Sequence, residues 1–310
     1  MNSTTISYLP VHGGHKIYFA TYGSSDHPAI LNVHGGPGLR SKEKYARQFD
    51  VTKFYVITFD QRGCGQSTFR DKLANNTLQH IVADMETLRQ HLGVTKWFLN
   101  GGSWGSTVCL AYAEQYPDKV AGLMLASTFL GDFKRMNWLH GGSHEIAETC
   151  FPDDYNEYKA FLAEHNITER KDLVTLVERL ADGTPEDNEG IVHSLVKFER
   201  RLYVAEKVRP FTGPVADELI SAKMIYLHYA SNRFFTREGQ FSRQCTEFKD
   251  IPMILVHGDQ DRVCPLVDIE DFVGRQRNTT LTVLRDNGHS FSEVGKRLSE
   301  ESYAEFLATY

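Results

Sequence analysis

The chain has 310 residues, of which 41% are hydrophobic and 24% charged, with a formal net charge of −6. This is the mix of a folded globular protein and sets aside intrinsic disorder. The acidic balance gives no electrostatic reason to expect nucleic acid or an anionic membrane as partner, and the length allows roughly two domains, or one core with a large insertion.

Met1–Pro10 is polar and β-prone, with neither a basic n-region nor an apolar h-region, so it does not read as a secretory signal. No apolar run is long enough to cross a bilayer. Thr5–Leu9 and Lys16–Thr21 read as strands joined by a Gly13-Gly14 turn, with His12 and His15 as flanking surface histidines. The short apolar runs Ile30–Val33, Phe54–Phe59, Trp97–Leu99 and Val120–Ala126 suit strands buried on both faces of a parallel sheet. Between them, Leu78–Leu92 has apolar residues at helix spacing behind Thr77 as N-cap, and Thr107–Tyr116 is a helix stopped by Pro117. This alternation predicts an α/β fold, a mostly parallel central sheet flanked by helices.

After Gly131 the pattern turns helical and charged, with candidates at Tyr155–Glu164, Arg170–Ala181, Gly190–Val208 and Val215–Ala230. Strand signals return at Pro252–Val256 and Thr280–Leu284, and a last helix lies within Gly295–Thr309. The expected organisation is one core, residues 1–130 and 246–310, with a helical cap inserted over 131–245. The five cysteines, Cys64, Cys109, Cys150, Cys245 and Cys264, are odd in number and never form CxxC. That fits free thiols in a reducing cytoplasm.

Gly101-Gly102-Ser103-Trp104-Gly105 matches G-x-S-x-G. It sits between a strand and a helix, the setting of a nucleophile elbow, and Gly101 and Gly105 supply the small residues that the turn needs. A serine hydroxyl needs a base. His289, in Asp286–Ser290 just after the last strand, is the candidate. An orienting carboxylate can come from Asp259 or Asp261, both after the strand Pro252–Val256. The chain order Ser, Asp, His is the α/β-hydrolase order. A tetrahedral intermediate needs two N–H donors. Trp104 supplies one, and the loop His34–Gly38 supplies the other through Gly36, with Gly35 as the alternative. Asp60–Ser67 reads as a loop at the sheet edge that shapes the site, with Cys64 a buried thiol and not a nucleophile.

HGGPG at His34–Gly38, DQRGCGQS at Asp60–Ser67, GGSWGST at Gly101–Thr107, D-x-V-C-P at Asp261–Pro265 and GHS at Gly288–Ser290 together resemble the proline iminopeptidase (prolyl aminopeptidase) family of α/β-hydrolases. The resemblance covers most of the core. It implies the α/β-hydrolase fold, a helical cap over the site and Asp261 as the triad acid. It also implies catalysis without metal or cofactor, and small peptide, amide or ester substrates. Prolyl-cleaving members carry two cap acids for the substrate's amine. Tyr226 stands where one is expected, and Glu199 or Glu206 lies nearest the other. With Gly35, His228 and Tyr229, Glu199 and Tyr226 make up the expected substrate-contacting set. A desolvated ammonium without a carboxylate is costly, so the sequence predicts weaker action on a proline arylamide than on a simple aryl ester.

Overall fold

A computed structural model describes the chain except residues 1–3, 69–70, 132–135, 204–213, 244–247 and 249. Its sheet has eight strands: β1 Thr4–Pro10, β2 Lys16–Tyr22, β3 Ala29–Val33, β4 Tyr55–Phe59, β5 Trp97–Gly102, β6 Val120–Ala126, β7 Met253–Gly258 and β8 Thr279–Leu284. They lie in the order β1-β2-β4-β3-β5-β6-β7-β8. The first two pairings, β1 with β2 and β2 with β4, are antiparallel, and the rest are parallel. Every residue of β3, β4 and β7 is buried, whereas the edge strands β1 and β8 are partly exposed. Continuous apolar runs therefore occupy the interior of the sheet, as parallel strands covered on both faces require.

The helices are α1 Glu43–Ala46, α2 Leu78–His91, α3 Trp104–Gln115, α4 Glu145–Cys150, α5 Pro152–Glu164, α6 Val174–Asp182, α7 Pro185–Tyr203, α8 Asp217–Ser231, α9 Gln240–Arg243, α10 Leu266–Val273 and α11 Glu293–Thr309. The Thr77 side chain caps α2 by accepting from His80 N–H, and Leu78, Ile81, Val82, Met85 and Leu88 turn inward. Alternate strand residues feed two cores. Leu31, Ile57, Phe59 and Leu99 pack with α2 and α3, while Ile30, Val56, Phe98 and Met124 pack with Tyr303 and Leu307 of α11. Residues 104–113 of α3 are all buried, so the helix behind the G-x-S-x-G turn runs through the middle of the protein.

Between β6 and β7 every described element is helical, and α8 reaches back onto the core. Arg40 pairs with Glu218 at 2.6 Å, and Lys72 donates to Ser221 Oγ at 2.7 Å. A Cβ on Gly38 would lie 2.3 Å from Ala222 O, so the backbones of the HGGPG loop and α8 touch. The helix α10 went unread in the sequence. The turn at Gly13-Gly14 is a short 3₁₀ segment with φ of 80° and 86° at the two glycines. No described helix is long and apolar enough to cross a membrane.

Among the described residues, one Arg–Asp ion pair is wholly inside. Arg62, in the loop after β4, makes a bidentate contact with Asp84 of α2 at 2.5 and 2.7 Å, and neither side chain is more than 2% exposed. Arg62 also donates to Asn75 O at 3.1 Å. Arg62→Met would strand the Asp84 carboxylate without its counter-charge. We expect a loss of about 3–5 kcal/mol of stability, the usual cost of breaking a buried pair by removing one partner. A denaturation midpoint equal to wild type would contradict this anchoring.

Candidate active site

Ser103 occupies the turn between β5 and α3 with φ 54° and ψ −124°. This conformation costs on the order of 1–3 kcal/mol and persists only when its surroundings impose it. They do so by crowding. A Cβ at Gly101 would lie 2.5 Å from Gly105 O, and one at Gly105 would lie 2.2 Å from Val33 O, so only glycine fits on either side. Ser103 N–H donates to Ala126 O at 3.0 Å, and Ser106 N–H donates back to Ser103 O at 2.9 Å. The hydroxyl is thereby held off the C-terminal ends of the parallel strands.

The loop after β8 brings His289 to it. Its Nε2 is 2.8 Å from Ser103 Oγ, and its Nδ1 is 2.8 Å from Asp261 Oδ2. The other Asp261 oxygen accepts from the Val263 and Cys264 N–H groups at 2.9 and 2.8 Å. Burial pushes the Asp261 carboxyl up, but His289 and a hydrogen bond from His257 outweigh it and hold the group well below the usual carboxylate range. Asp261 is thus the carboxylate that meets His289. Asp259 instead faces Arg285, 3.6 Å away. The acid and histidine loops are keyed together: a Cβ on Gly258 would lie 2.2 Å from Asn287 O, and Gln260 N–H donates to that same oxygen at 2.9 Å. Ser127 Oγ donates to His289 O at 2.8 Å. Asp261, Cys264 and His289 lie close enough to suggest a metal site. However, Asp261 and His289 already commit their donor atoms to each other, to Ser103 and to the loop.

The HGGPG loop packs against the elbow, where a Cβ on Gly35 would come within 3.0 Å of Gly102 O and 3.6 Å of Ser103 Cβ. Gly36 has φ 127°, open only to glycine. Trp104 is the first residue of α3, so its N–H has no carbonyl one turn back to bond. The two loops and the elbow are tied by Gln61. Its backbone N–H donates to His34 Nε2 at 3.0 Å, its side-chain amide donates to His34 O at 2.7 Å, and its carbonyl accepts from Trp104 Nε1 at 2.9 Å. Burial lowers the His34 ring below the ordinary imidazole value, which suits a neutral ring accepting from Gln61. Asp60 accepts from Ser41 N–H and from Gln66 N–H, at 2.7 and 2.8 Å.

The family model for the α/β-hydrolase fold matches residues 28–296. A probable proline iminopeptidase from Leptolyngbya boryana is 34% identical over 295 residues, 93% of this chain and 89% of the relative. The proline iminopeptidase of Xylella fastidiosa (strain 9a5c) is 32% identical over 92% of this chain and 90% of its own. The chain belongs to the proline iminopeptidase family of α/β-hydrolases. Among solved structures, the fold matches an esterase from Exiguobacterium antarcticum with a TM-score of 0.64 at 16% identity, over 97% and 98% of the two chains. It also matches a proline iminopeptidase-related protein from Thermus thermophilus, with a TM-score of 0.62 at 23% identity, over 99% and 98%.

Around this family core the remaining expected residues fall in different places. Tyr203 of α7 stacks its ring on His289, with centroids 5.3 Å apart. Glu199, one turn earlier on α7, is buried and paired with Lys223 of α8. Tyr226 is buried one turn after Lys223. Burial pushes up the Tyr203 and Tyr226 phenols, and the charge of Glu199 reaches both. His228 and Tyr229 direct their polar atoms to Asn76, at 2.9 and 2.8 Å, while the Tyr229 ring meets Trp104 at 5.0 Å. Their hydrogen bonds brace α8 against the core. Glu206 lies outside the described residues. Cys64 is buried and its thiol is pushed up by that burial, so it is a poor source of thiolate.

His257 carries a part that the sequence reading did not assign. Its ring is fully buried, and its Nδ1 accepts from Thr128 N–H at 3.2 Å, which leaves the proton on Nε2. That nitrogen lies 2.7 Å from Cys264 O and 3.3 Å from Asp261 Oδ2. The available signal was its place in the Val256–Asp261 segment, four residues before the acid. Tyr203 and Lys223 left no comparable trace, because their relevance depends on how α7 and α8 pack.

Proposed function

We propose that this protein is a serine hydrolase of the proline iminopeptidase type that cleaves an amide or ester through an acyl-enzyme. The observation that carries the reading is the pair of 2.8 Å contacts from Ser103 to His289 and from His289 to Asp261. Ser103 Oγ attacks the carbonyl carbon as His289 Nε2 takes its proton. The Gly36 and Trp104 N–H groups stabilise the oxyanion, with the Gly35 backbone lining the entry. The protonated His289, held by Asp261, then gives its proton to the leaving amine or alcohol. Water repeats the sequence on the acyl-enzyme and frees Ser103. The kinship to proline iminopeptidases supports small peptides as substrates, from which the N-terminal residue is released. In this reading residues 131–245 form a cap over a core of 1–130 and 246–310. A reducing cytoplasm agrees with Cys64, Cys109, Cys150 and Cys264 being free thiols.

A second reading, an esterase or amidase, is favoured by the Glu199–Lys223 pair and by Tyr226 in the cap. A fluorophosphonate probe followed by peptide mapping tests the hydrolase itself. Label is expected on Ser103 of the wild-type protein. A wild type that resists labelling as fully as Ser103→Ala would sink the enzyme reading.

A further inference from the structure

The catalytic steps leave unused a buried ion pair beside the triad. Glu199 is 3% exposed, and its Oε2 accepts from Lys223 Nζ. Its Oε1 is buried with no hydrogen-bond partner among the described residues. The Lys223 ammonium also lies over the Tyr226 ring, 5.2 Å from its centre. This cluster connects to both ends of the reaction centre. On one side, Tyr203 follows Glu199 along α7 and stacks on His289. On the other, Tyr226 meets Phe234 at 6.4 Å, and Phe234 meets Trp104 at 6.0 Å. Tyr203 lies on the His289 ring, so the cluster reaches the reaction centre through α7.

A lone carboxylate buried in this cluster would favour an acyl group bearing an ammonium, because a buried charge needs an opposite one. Here the protein supplies its own. Glu199 and Lys223 form a neutral pair. An ammonium arriving with the substrate would have to share one carboxylate with Lys223 at close range, and two cations repel. An uncharged acyl group meets no such repulsion.

We propose that Lys223 determines specificity: by neutralising Glu199 from within, it turns the site toward acyl groups without a free ammonium, such as N-capped amino acids and simple carboxylic acids. This rests on the Ser103 hydrolase reading and sides with its esterase or amidase form against release of a residue with a free amine.

The test compares prolyl p-nitroanilide with N-acetylprolyl p-nitroanilide, using p-nitrophenyl acetate as reference, on the full-length protein. Wild type is expected to have the higher kcat/KM on the capped compound. Lys223→Met and Lys223→Gln should raise the free-to-capped ratio by at least about tenfold, while Lys223→Arg keeps the wild-type ratio. Glu199→Gln added to Lys223→Met should remove the gain. Thermal melts show which variants are folded. The idea is overturned if wild type prefers the free amine, or if folded neutral variants keep the wild-type ratio. Should the neutral variants unfold, inhibition of wild-type ester hydrolysis decides: proline amide inhibiting more tightly than N-acetylproline amide overturns it, and the reverse order supports it. Failure of the parent reading looks different, with no ester hydrolysis above that of Ser103→Ala.

Discussion

Ser103→Ala is expected to lower kcat on an activated aryl ester by on the order of 10⁵–10⁶-fold, as removal of a nucleophile that acts as a unit with its base does. The substitution deletes one oxygen and keeps the Cβ, so the elbow's backbone contacts to Ala126 O and from Ser106 N–H remain. The melting temperature should therefore stay close to wild type. What disappears is the 2.8 Å contact with His289, and with it the atom that attacks. Residual hydrolysis of about 10³–10⁴-fold over the uncatalysed rate is expected from the oxyanion donors and substrate binding alone. A variant within tenfold of wild type would mean that another group is the nucleophile, and the assignment would fall.

Asp261→Asn should be nearly as damaging, with a kcat loss of about 10⁴-fold. The structure dictates how. Val263 and Cys264 N–H groups point at one Asp261 oxygen, so that position must stay an acceptor. The asparagine carbonyl oxygen is forced there, and its NH₂ then faces His289 Nδ1. That nitrogen must become the acceptor, which moves the ring proton to Nε2, where it points at Ser103 and blocks proton abstraction. Stability has its own pH signature. The folded Asp261 carboxyl is held below its unfolded value of about 3.9, so its contribution is present above that pH and fades as pH falls below it. The asparagine variant should lose that part of the acid dependence. A variant with kcat within tenfold of wild type would show that His289 is oriented without Asp261.

Much of this arrangement was legible in the residues because short-range signals and tertiary structure agree. Buried apolar runs announced the interior strands, and Thr77 announced the start of α2. Strand β5 read short, since Asn100-Gly101-Gly102 has the composition of a loop, yet those residues continue the ladders with β3 and β6. Helix α10 went unread because eight residues after Pro265 offer barely two turns of periodicity. Spacing alone could not choose between Asp259 and Asp261, which stand on the same loop. The choice depends on which side chain turns inward, and the structure points one at His289 and the other at Arg285. The Glu199–Lys223 pair was invisible for a related reason. Each residue looks like an ordinary helix charge, and only the packing of two helices buries them together.

The bond between Ser103 and His289 spans 186 positions, from the middle of the sheet to the loop beyond its last strand. A nascent chain that has emerged only through α10 already carries Ser103 and the carboxylate that will orient the base, but no imidazole to draw the proton from serine. Hydrolytic competence is therefore conferred late in biosynthesis, after the β8 edge has docked and the Gly258–Asn287 contact has closed. Until then the growing polypeptide carries a silent serine.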